Sequence, residues 1–386
     1  MFNHLLIYNR LVSAKFKDLA LLTIITVTFT FLLWLPHILA IPNFWGLSFK
    51  EGFNTIYRNF DGLEYIVIAK TFYNPEAIAN LHLTQPADYF ASHFPGYPLL
   101  ISLFAPFLGY LKSMLFVSLL FTVLSAWAFY FLVKDFKLSA HPLTLSLIFL
   151  ILPARWVIVH SIGSPEPAFI FFIILSIYFF LKNKIWAVAV FAAAAQLIRP
   201  PGILLGIALG LYILWQGYRK KSVKYILSFY PLIFIPLTLL GIFYWYSITY
   251  QDFFAYFHSG DNIHLTFPPF QVFNKHQFWV GDIWLEDVVY IFMLGFLGGM
   301  FLIKQKLYSL AFFVLTYLTA SIFVAHRDIS RYLLPIAPFV IIAFEKILVS
   351  KEFKIVLAIL ALTIYLYSQN YIINNVAPVP DLSVYN

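Results

Sequence analysis

Residues 19–41 read LALLTIITVTFTFLLWLPHILAI, a stretch that contains no Asp, Glu, Lys or Arg. A helix that crosses a bilayer needs about 20 such residues, because the hydrocarbon core is about 30 Å thick. The apolar core of a cleaved signal peptide is shorter, at about 7–15 residues. We therefore predict that residues 19–41 form an uncleaved anchor and the first membrane span.

The composition of the whole chain agrees with this stretch. Of the 386 residues, 62% are hydrophobic and 11% are charged, whereas soluble domains are about 25% charged. A soluble fold of this length could not bury so much apolar surface, but a bilayer accepts it. The chain has no cysteine, which excludes disulfides, thiolate catalysis and zinc–thiolate sites.

Apolar runs of spanning length recur along the chain. The predicted spans lie near 19–41, 113–133, 142–162, 165–181, 185–200, 202–218, 224–248, 286–303, 306–325, 332–349 and 353–373. Pro200 and Pro201 interrupt a helix, because proline lacks a donor and clashes with the preceding turn. Residues 185–218 are therefore two short spans or one kinked span. We predict an all-α, polytopic transmembrane helical bundle of about eleven spans, with residues 1–386 in a single integral membrane domain.

Lysine and arginine indicate the orientation, since cytoplasmic loops of membrane proteins carry an excess of both. With about eleven spans, one side collects Arg10, Lys15, Lys17, Lys134, Lys137, Lys182, Lys184, Arg219, Lys220, Lys221, Lys224, Lys304, Lys306, Lys346, Lys351 and Lys354. We therefore place the N-terminus in the cytoplasm and the C-terminus outside a plasma membrane. The net charge of +8 is then a topology signal, and we expect no nucleic-acid partner.

Two long loops and many acidic residues fall on the outer side. The loops cover residues 42–112 and 249–285, and long loops in compact proteins are usually functional. Residues 95–112 are apolar enough to span, but a span there would invert every later loop, so we predict an interfacial helix. The outer acids are Asp61, Glu64, Glu76, Asp88, Glu166, Asp252, Asp261, Asp282 and Asp328. We expect the chemistry on this face.

Asp61 opens a short predicted helix in the first outer loop. At 3.6 residues per turn, Asp61, Glu64 and Tyr65 share one face of that helix. The helix dipole favours an ionised carboxylate at the first position, and an ionised aspartate can accept a proton as a general base does. The alternative is that Asp61 only caps the helix.

Further polar side chains stand among apolar segments on the same side. His93 could bind a phosphate or orient a sugar hydroxyl, or it could have no task. Glu166 lies in an outer turn and is costly among apolar helices without a partner. It binds a metal or the acceptor, or it pairs with Arg155 or Arg199. Arg199 directly precedes the Pro200 break, and intramembrane arginines are functional candidates.

Two arginines precede a late predicted span. Arg327 and Arg331 lie in the segment His326-Arg327-Asp328-Ile329-Ser330-Arg331. A guanidinium group binds phosphate in a bidentate way, so this pair suits a phosphate at the outer interface. The alternative is a salt bridge between Arg331 and Asp328 within the turn.

Four segments, taken in order, resemble the GT-C superfamily, the polytopic glycosyltransferases that use polyprenyl-phosphate sugars. They are Asp61-Gly62 with Tyr65 and Ala69, Phe94-Pro95-Gly96-Tyr97-Pro98, Ser164 with Glu166, and Ser330-Arg331-Tyr332 with Pro335 and Pro338. These segments lie between residues 54 and 340. The resemblance is to mannosyltransferases of the GPI second-mannose type and their bacterial relatives.

The resemblance implies an activity. A sugar, with mannose the implied one, would move from a polyprenyl-phosphate donor to a hydroxyl of a lipid or glycan acceptor, with inversion, at the outer face of a prokaryotic plasma membrane. Asp61 would occupy the position of the catalytic acid. The donor phosphate would face Arg331, with Arg327, Arg199 or His93 beside it, while the lipid tail lies among membrane lipids.

The cofactor and two other functions stay open. Many relatives carry a second acid directly beside the first, where this chain has Phe60. No cofactor is therefore certain, and a divalent metal is an open alternative. A ligase or polymerase of lipid-linked glycans would share the outer arginines. A secondary transporter would share charged residues and broken helices within the membrane, although the sequence contains no obvious internal repeat.

Overall fold

The computed structural model describes residues 2–59, 61–260, 265–279, 285–379 and 381–386. Phe60, Asp261 and Asp282, which entered the sequence analysis, lie outside the described residues. Within these ranges the chain is helical, and no β-strand forms. The predicted all-α helical membrane bundle is confirmed.

Twenty α-helices follow one another along the described ranges. The α-helices of the described ranges are α1 (Phe2–Ile38), α2 (Asn54–Tyr57), α3 (Gly62–Thr71), α4 (Pro75–Ala79), α5 (Gly96–Leu108), α6 (Tyr110–Asp135), α7 (Pro142–Ile151), α8 (Ala154–Val159), α9 (Glu166–Leu181), α10 (Ile185–Ile198), α11 (Gly202–Lys220), α12 (Val223–Leu227), α13 (Phe234–Thr249), α14 (Ala255–His258), α15 (Leu285–Lys304), α16 (Tyr308–Ser321), α17 (Ile329–Tyr332), α18 (Ala337–Ala343), α19 (Glu345–Leu348) and α20 (Lys351–Asn374). Short 3-10 helices cover Ala87–Ser92, Tyr230–Ile233, Gln271–Phe273, Leu334–Ile336 and Ser383–Tyr385.

Five helical segments are long and apolar enough to cross a membrane. They are Phe16–Ile38, Tyr110–Asp135, Tyr230–Thr249, Glu286–Lys304 and Lys351–Asn374. Shorter apolar helices are Gly96–Leu108, Pro142–Ile151, Glu166–Leu181, Ile185–Ile198, Tyr308–Ser321 and Ile329–Ala343. All coincide with predicted spans except Gly96–Leu108, which coincides with the predicted interfacial helix. The number of crossings stays a prediction.

Proline determines where the apolar runs break. Residues 185–218 form two helices, α10 and α11, with the break at Pro200 and Pro201. A Cβ at Gly202 would lie 2.5 Å from Gln196 Cα, so this close crossing requires glycine. Residues 142–162, predicted as one helix, form α7 and α8 because Pro153 cannot continue the first one. Residues 224–248 and 332–349 are likewise divided into shorter helices.

The predicted cytoplasmic loops gather at one end of the bundle, which we call the basic pole. Lys134 lies 3.6 Å from Asp18, Lys182 lies 3.3 Å from Asp135, and Ser139 donates to Glu345 at 2.7 Å. Gln305 donates to Ala343 O at 2.9 Å, and the rings of Trp215 and Tyr308 are 5.1 Å apart. These contacts join basic turns that are far apart in the chain.

The predicted outer residues gather elsewhere, at what we call the site pole. It is defined by Asp61, Glu166, Arg199 and Arg331, which contact one another. The C-terminal segment lies beside them, since Ala377 N donates to Arg58 O at 2.8 Å. The division into two poles agrees with the predicted topology. Which pole faces the cytoplasm stays a prediction.

Candidate active site

Glu166 is the centre of a buried charge cluster at the site pole. Its side chain is 0% exposed. Arg331 Nε donates to Glu166 Oε1 at 2.6 Å, and Arg199 Nη1 donates to the same oxygen. Ser164 Oγ donates to the other oxygen, Oε2. Of the alternatives for Glu166, pairing with Arg199 is therefore observed, and Arg331 is an additional partner.

Local structure explains how these side chains meet. Glu166 is the first residue of α9, where the helix dipole stabilises a negative charge. Arg199 follows the last turn of α10 and is held there by the Pro200 break. A Cβ at Gly96 would lie 2.7 Å from the backbone of Leu197. The first turn of α5 thus packs directly on the end of α10, beside Arg199.

Arg331 connects the cluster to Asp61. Its Nη1 donates to Asp61 Oδ2 at 3.0 Å, while its Nη2 lies 3.4 Å from Glu166 Oε2. Asp61 stands at the N-cap position of α3, but its side chain makes no capping hydrogen bond. The Asp61 side chain is 27% exposed, against 8% for Arg331. The cap alternative therefore does not describe this carboxylate, which forms the open edge of the cluster.

Asp61, Glu64 and His93 form a second group next to the cluster. Their ligand-type atoms all lie within 4.8 Å of one another. His93 Nε2 is 2.9 Å from Glu64 Oε2, and Tyr89 donates to Glu64 Oε1 at 3.0 Å. Two carboxylates and an imidazole suit a divalent transition metal. The predicted shared face of Asp61 and Glu64 is thus observed, and the group could hold a metal.

Tyr65 packs behind this group. Its ring contacts His93 edge to face, with the centroids 5.0 Å apart. Burial raises the pKa of Tyr65 well above its ordinary value, so the phenol stays protonated near neutral pH. Tyr65 therefore packs against His93 as a neutral side chain and does not act as a base.

Two further predictions concern residues outside the cluster. Arg327 is exposed, and its guanidinium lies 5.9 Å from the centre of the Phe278 ring; the structure does not bring it to Glu166. Asp328 pairs with Arg155 instead of Arg331. The proposed turn salt bridge between Arg331 and Asp328 is therefore not the observed pairing.

Sequence analysis assigned no role to His326, which also borders the site. Its Nδ1 accepts a hydrogen bond from the Asp328 amide at 2.9 Å, and its ring packs on Tyr332 at 4.8 Å. Burial lowers the pKa of His326, so the ring is neutral near pH 7 and its proton is on Nε2. The signal that could have indicated it was its place five residues before Arg331.

The comparisons with known proteins concern the fold. Neither a protein-family model nor a curated protein matches the chain. A crystal structure of ArnT from Cupriavidus metallidurans bound to undecaprenyl phosphate is similar, with a TM-score of 0.53 and 12% sequence identity. The match covers 88% of this chain and 63% of the ArnT chain. The chain therefore shares the fold of this ArnT structure, and the match spans less than two thirds of ArnT's length.

Proposed function

We propose that this protein is a membrane glycosyltransferase that uses a polyprenyl-phosphate sugar as donor. The sugar, for which mannose is our choice, passes with inversion to a hydroxyl of a lipid or glycan acceptor at the outer face of the plasma membrane. One observation carries the proposal. A partly exposed carboxylate, Asp61, contacts an arginine, Arg331, that a buried carboxylate holds in place. The proposed base and the proposed phosphate-binding group would thus lie side by side.

Asp61 is the proposed general base. The acceptor oxygen attacks the anomeric carbon on the face opposite to the phosphate, and its proton passes to Asp61. The bond between the anomeric carbon and the phosphate oxygen breaks, and the electron pair leaves with the polyprenyl phosphate. Attack from the opposite face inverts the anomeric configuration. A base of this kind typically contributes about 10²- to 10⁴-fold in rate.

Arg331 is the proposed phosphate-binding group, and Glu166 is its positioning residue. Glu166 engages Arg331 through Nε and Nη2, which leaves Nη1 directed toward the exposed edge at Asp61. A guanidinium fixed in this way stabilises the charge that develops on the leaving phosphate without having to reorient. Arg199 shares Glu166 from the other side and adds a second positive charge.

The similarity to ArnT supports the donor class. That ArnT structure contains undecaprenyl phosphate, a polyprenyl phosphate of the kind that this reaction would release. The shared fold therefore accommodates such a lipid in at least one protein. The chemistry of this chain's own cluster, with Arg331 and Arg199 facing two carboxylates, suits the same headgroup.

A transfer assay tests the proposal. Purified protein in liposomes would receive radiolabelled mannosyl polyprenyl phosphate, with a nucleotide sugar and a polyprenyl-diphosphate sugar as comparison donors and a membrane lipid extract as acceptor. We expect label to leave the monophosphate donor and enter the extract. Movement of intact donor or free sugar across the bilayer without transfer would instead indicate a transporter. Use of the diphosphate donor alone would indicate a ligase or polymerase.

A further inference from the structure

A long apolar groove runs along the surface between α11, α16 and the end of α15. Its volume is about 680 Å³, and its lining includes Leu204, Leu211, Trp215, Ile303, Tyr308 and Phe312. Small side chains on α16, among them Thr316 and Ala320, leave space for the groove. The groove is separate from the charge cluster, none of whose members lines it.

The length of the groove matches one leaflet of a bilayer. Along α11, its lining runs from Leu204 to Trp215, which at 1.5 Å per residue is about 16 Å. The hydrocarbon core is about 30 Å thick, so the groove covers about half of it. A single acyl chain from one leaflet therefore fits this length.

The end of the groove at the basic pole carries exposed cations. Arg219 lies one turn beyond Trp215 on the same face of α11. Its guanidinium lies 5.0 Å from the centre of the Trp215 ring. Lys304 follows the lining residue Ile303 and ends α15. Both are exposed, and neither has an ion pair within the described part of the chain. Trp215 and Tyr308, in ring contact there, are residue types that prefer the membrane interface.

We propose that this groove is a binding site for an anionic phospholipid from the leaflet at the basic pole. One acyl chain lies in the groove, and the phosphodiester headgroup contacts Arg219 and Lys304. The chain of the polyprenyl donor is the other lipid to consider. The donor's phosphate would lie at the site pole beside Arg331, and no member of the charge cluster lines the groove. Arg219 and Lys304 lie at the opposite end of the groove and therefore favour the headgroup of a different, anionic lipid there.

Photo-crosslinking tests the site independently of the transferase activity. The protein would be reconstituted with a trace of phosphatidylglycerol or phosphatidylcholine that carries the same photoactivatable acyl chain, and crosslinked peptides would be mapped by mass spectrometry. We expect phosphatidylglycerol to label residues 204–215 and 308–320 more strongly than phosphatidylcholine does. Each basic residue near an anionic headgroup contributes about fivefold in affinity. The double variant Arg219→Gln with Lys304→Gln should therefore lose most of the preference.

Two controls keep the test decisive. Lys134→Gln with Lys182→Gln removes two cations of the same pole that are paired with carboxylates, and the preference should persist. Thr316→Trp fills the groove and keeps the cations, so it should reduce groove labelling by both lipids. Equal labelling of the native protein by both lipids would mean nonspecific surrounding lipid and overturn the proposal. Displacement of phosphatidylglycerol by an equimolar amount of polyprenyl phosphate would assign the groove to the donor and overturn it too.

Discussion

The two poles of the molecule both carry ion pairs, but the pairs differ in kind. At the basic pole, the side chains of Lys182 and Asp135 are 41% and 24% exposed. At the site pole, Glu166 is 0% exposed and Arg331 is 8% exposed. The pair of Lys182 and Asp135 is partly exposed to solvent. The second pair belongs to a network in which Arg199 and Arg331 share the Glu166 carboxylate, and Arg331 also contacts Asp61.

This difference indicates that the ion pairs of the basic pole serve topology, whereas those of the site pole serve function. Exposed ion pairs contribute about 0–1 kcal/mol, so the paired lysines of the basic pole, Lys134 and Lys182, need no role beyond orienting the chain. Buried charges lose several kcal/mol of hydration, which an ion pair does not always recover. A network of buried charges is therefore weak evidence for stability. In a protein with so few charges, it is better explained by a site that handles charge.

The largest expected effect of breaking the site pole is on folding. Glu166→Gln leaves Arg199 and Arg331 buried with only Asp61 to compensate them. Removing one partner of a buried pair costs about 3–5 kcal/mol. We expect a lower free energy of unfolding by that order, measured by chemical denaturation in detergent. A loss below about 1 kcal/mol would mean that the cluster is as solvated as the pairs of the basic pole.

The next effect concerns the donor. Arg331→Ala should raise the KM for the polyprenyl-phosphate donor about 10- to 100-fold, since a hydrogen bond to a charged group contributes about 1.5–3 kcal/mol. Arg331→Lys should recover only part of this, because an ammonium group keeps the charge but loses the fork. Lipid-donor binding by both variants, with circular dichroism to check folding, gives the measurement. Unchanged donor affinity in folded Arg331→Ala would disprove the phosphate role.

A smaller effect is expected from removing divalent metals. Asp61 Oδ2 already pairs with Arg331, whereas Glu64 Oε2 lies 2.9 Å from His93 Nε2 but accepts no hydrogen bond from the described residues. Because Arg331 already places a positive charge beside Asp61, we predict that the proposed reaction does not require a metal there. We expect sugar transfer to continue in EDTA at close to its full rate. Loss of transfer that Mn²⁺ or Mg²⁺ restores would assign Asp61, Glu64 and His93 to a metal site.

The smallest effect should come from the basic pole. Lys182→Gln removes an exposed partner of Asp135, and such pairs contribute about 0–1 kcal/mol. The unfolding free energy and the transfer rate should both stay near the native values. A destabilisation comparable to that of Glu166→Gln would remove the distinction between the poles.

The fold was largely predictable because apolar length and proline are local signals. Pro200 and Pro201 correctly indicated the break between α10 and α11. Pro153 is the same kind of signal, yet the apolar run on both sides of it predicts one span over residues 142–162, and the structure divides that run into α7 and α8. The resemblance to the GT-C superfamily rested on the order of short segments rather than on any one of them.

The residues of the buried charge cluster could be named from the sequence, but their pairing could not. Charged residues beside apolar segments are functional candidates, and this rule identified Asp61, Glu166, Arg199 and Arg331. Which of them meet depends on how helices far apart in sequence pack, and no local pattern encodes it. Arg331 thus lies beside Asp328 in the chain but pairs with Asp61 and Glu166. Arg327 was grouped with Arg331 because the two are close in sequence. In the structure, however, the Arg327 side chain is exposed and lies near Phe278.

The most direct test of the proposed mechanism is the turnover of Asp61→Asn with a saturating polyprenyl-phosphate sugar. Asparagine keeps the size of the side chain and caps helices about as well as aspartate, but it cannot accept the proton. We expect turnover to fall by about 10²- to 10⁴-fold, with donor binding largely kept. Glu64→Gln, one turn along the same face, should stay active. Near-normal turnover in folded Asp61→Asn would contradict the account, and an inactive Glu64→Gln beside it would move the base to Glu64.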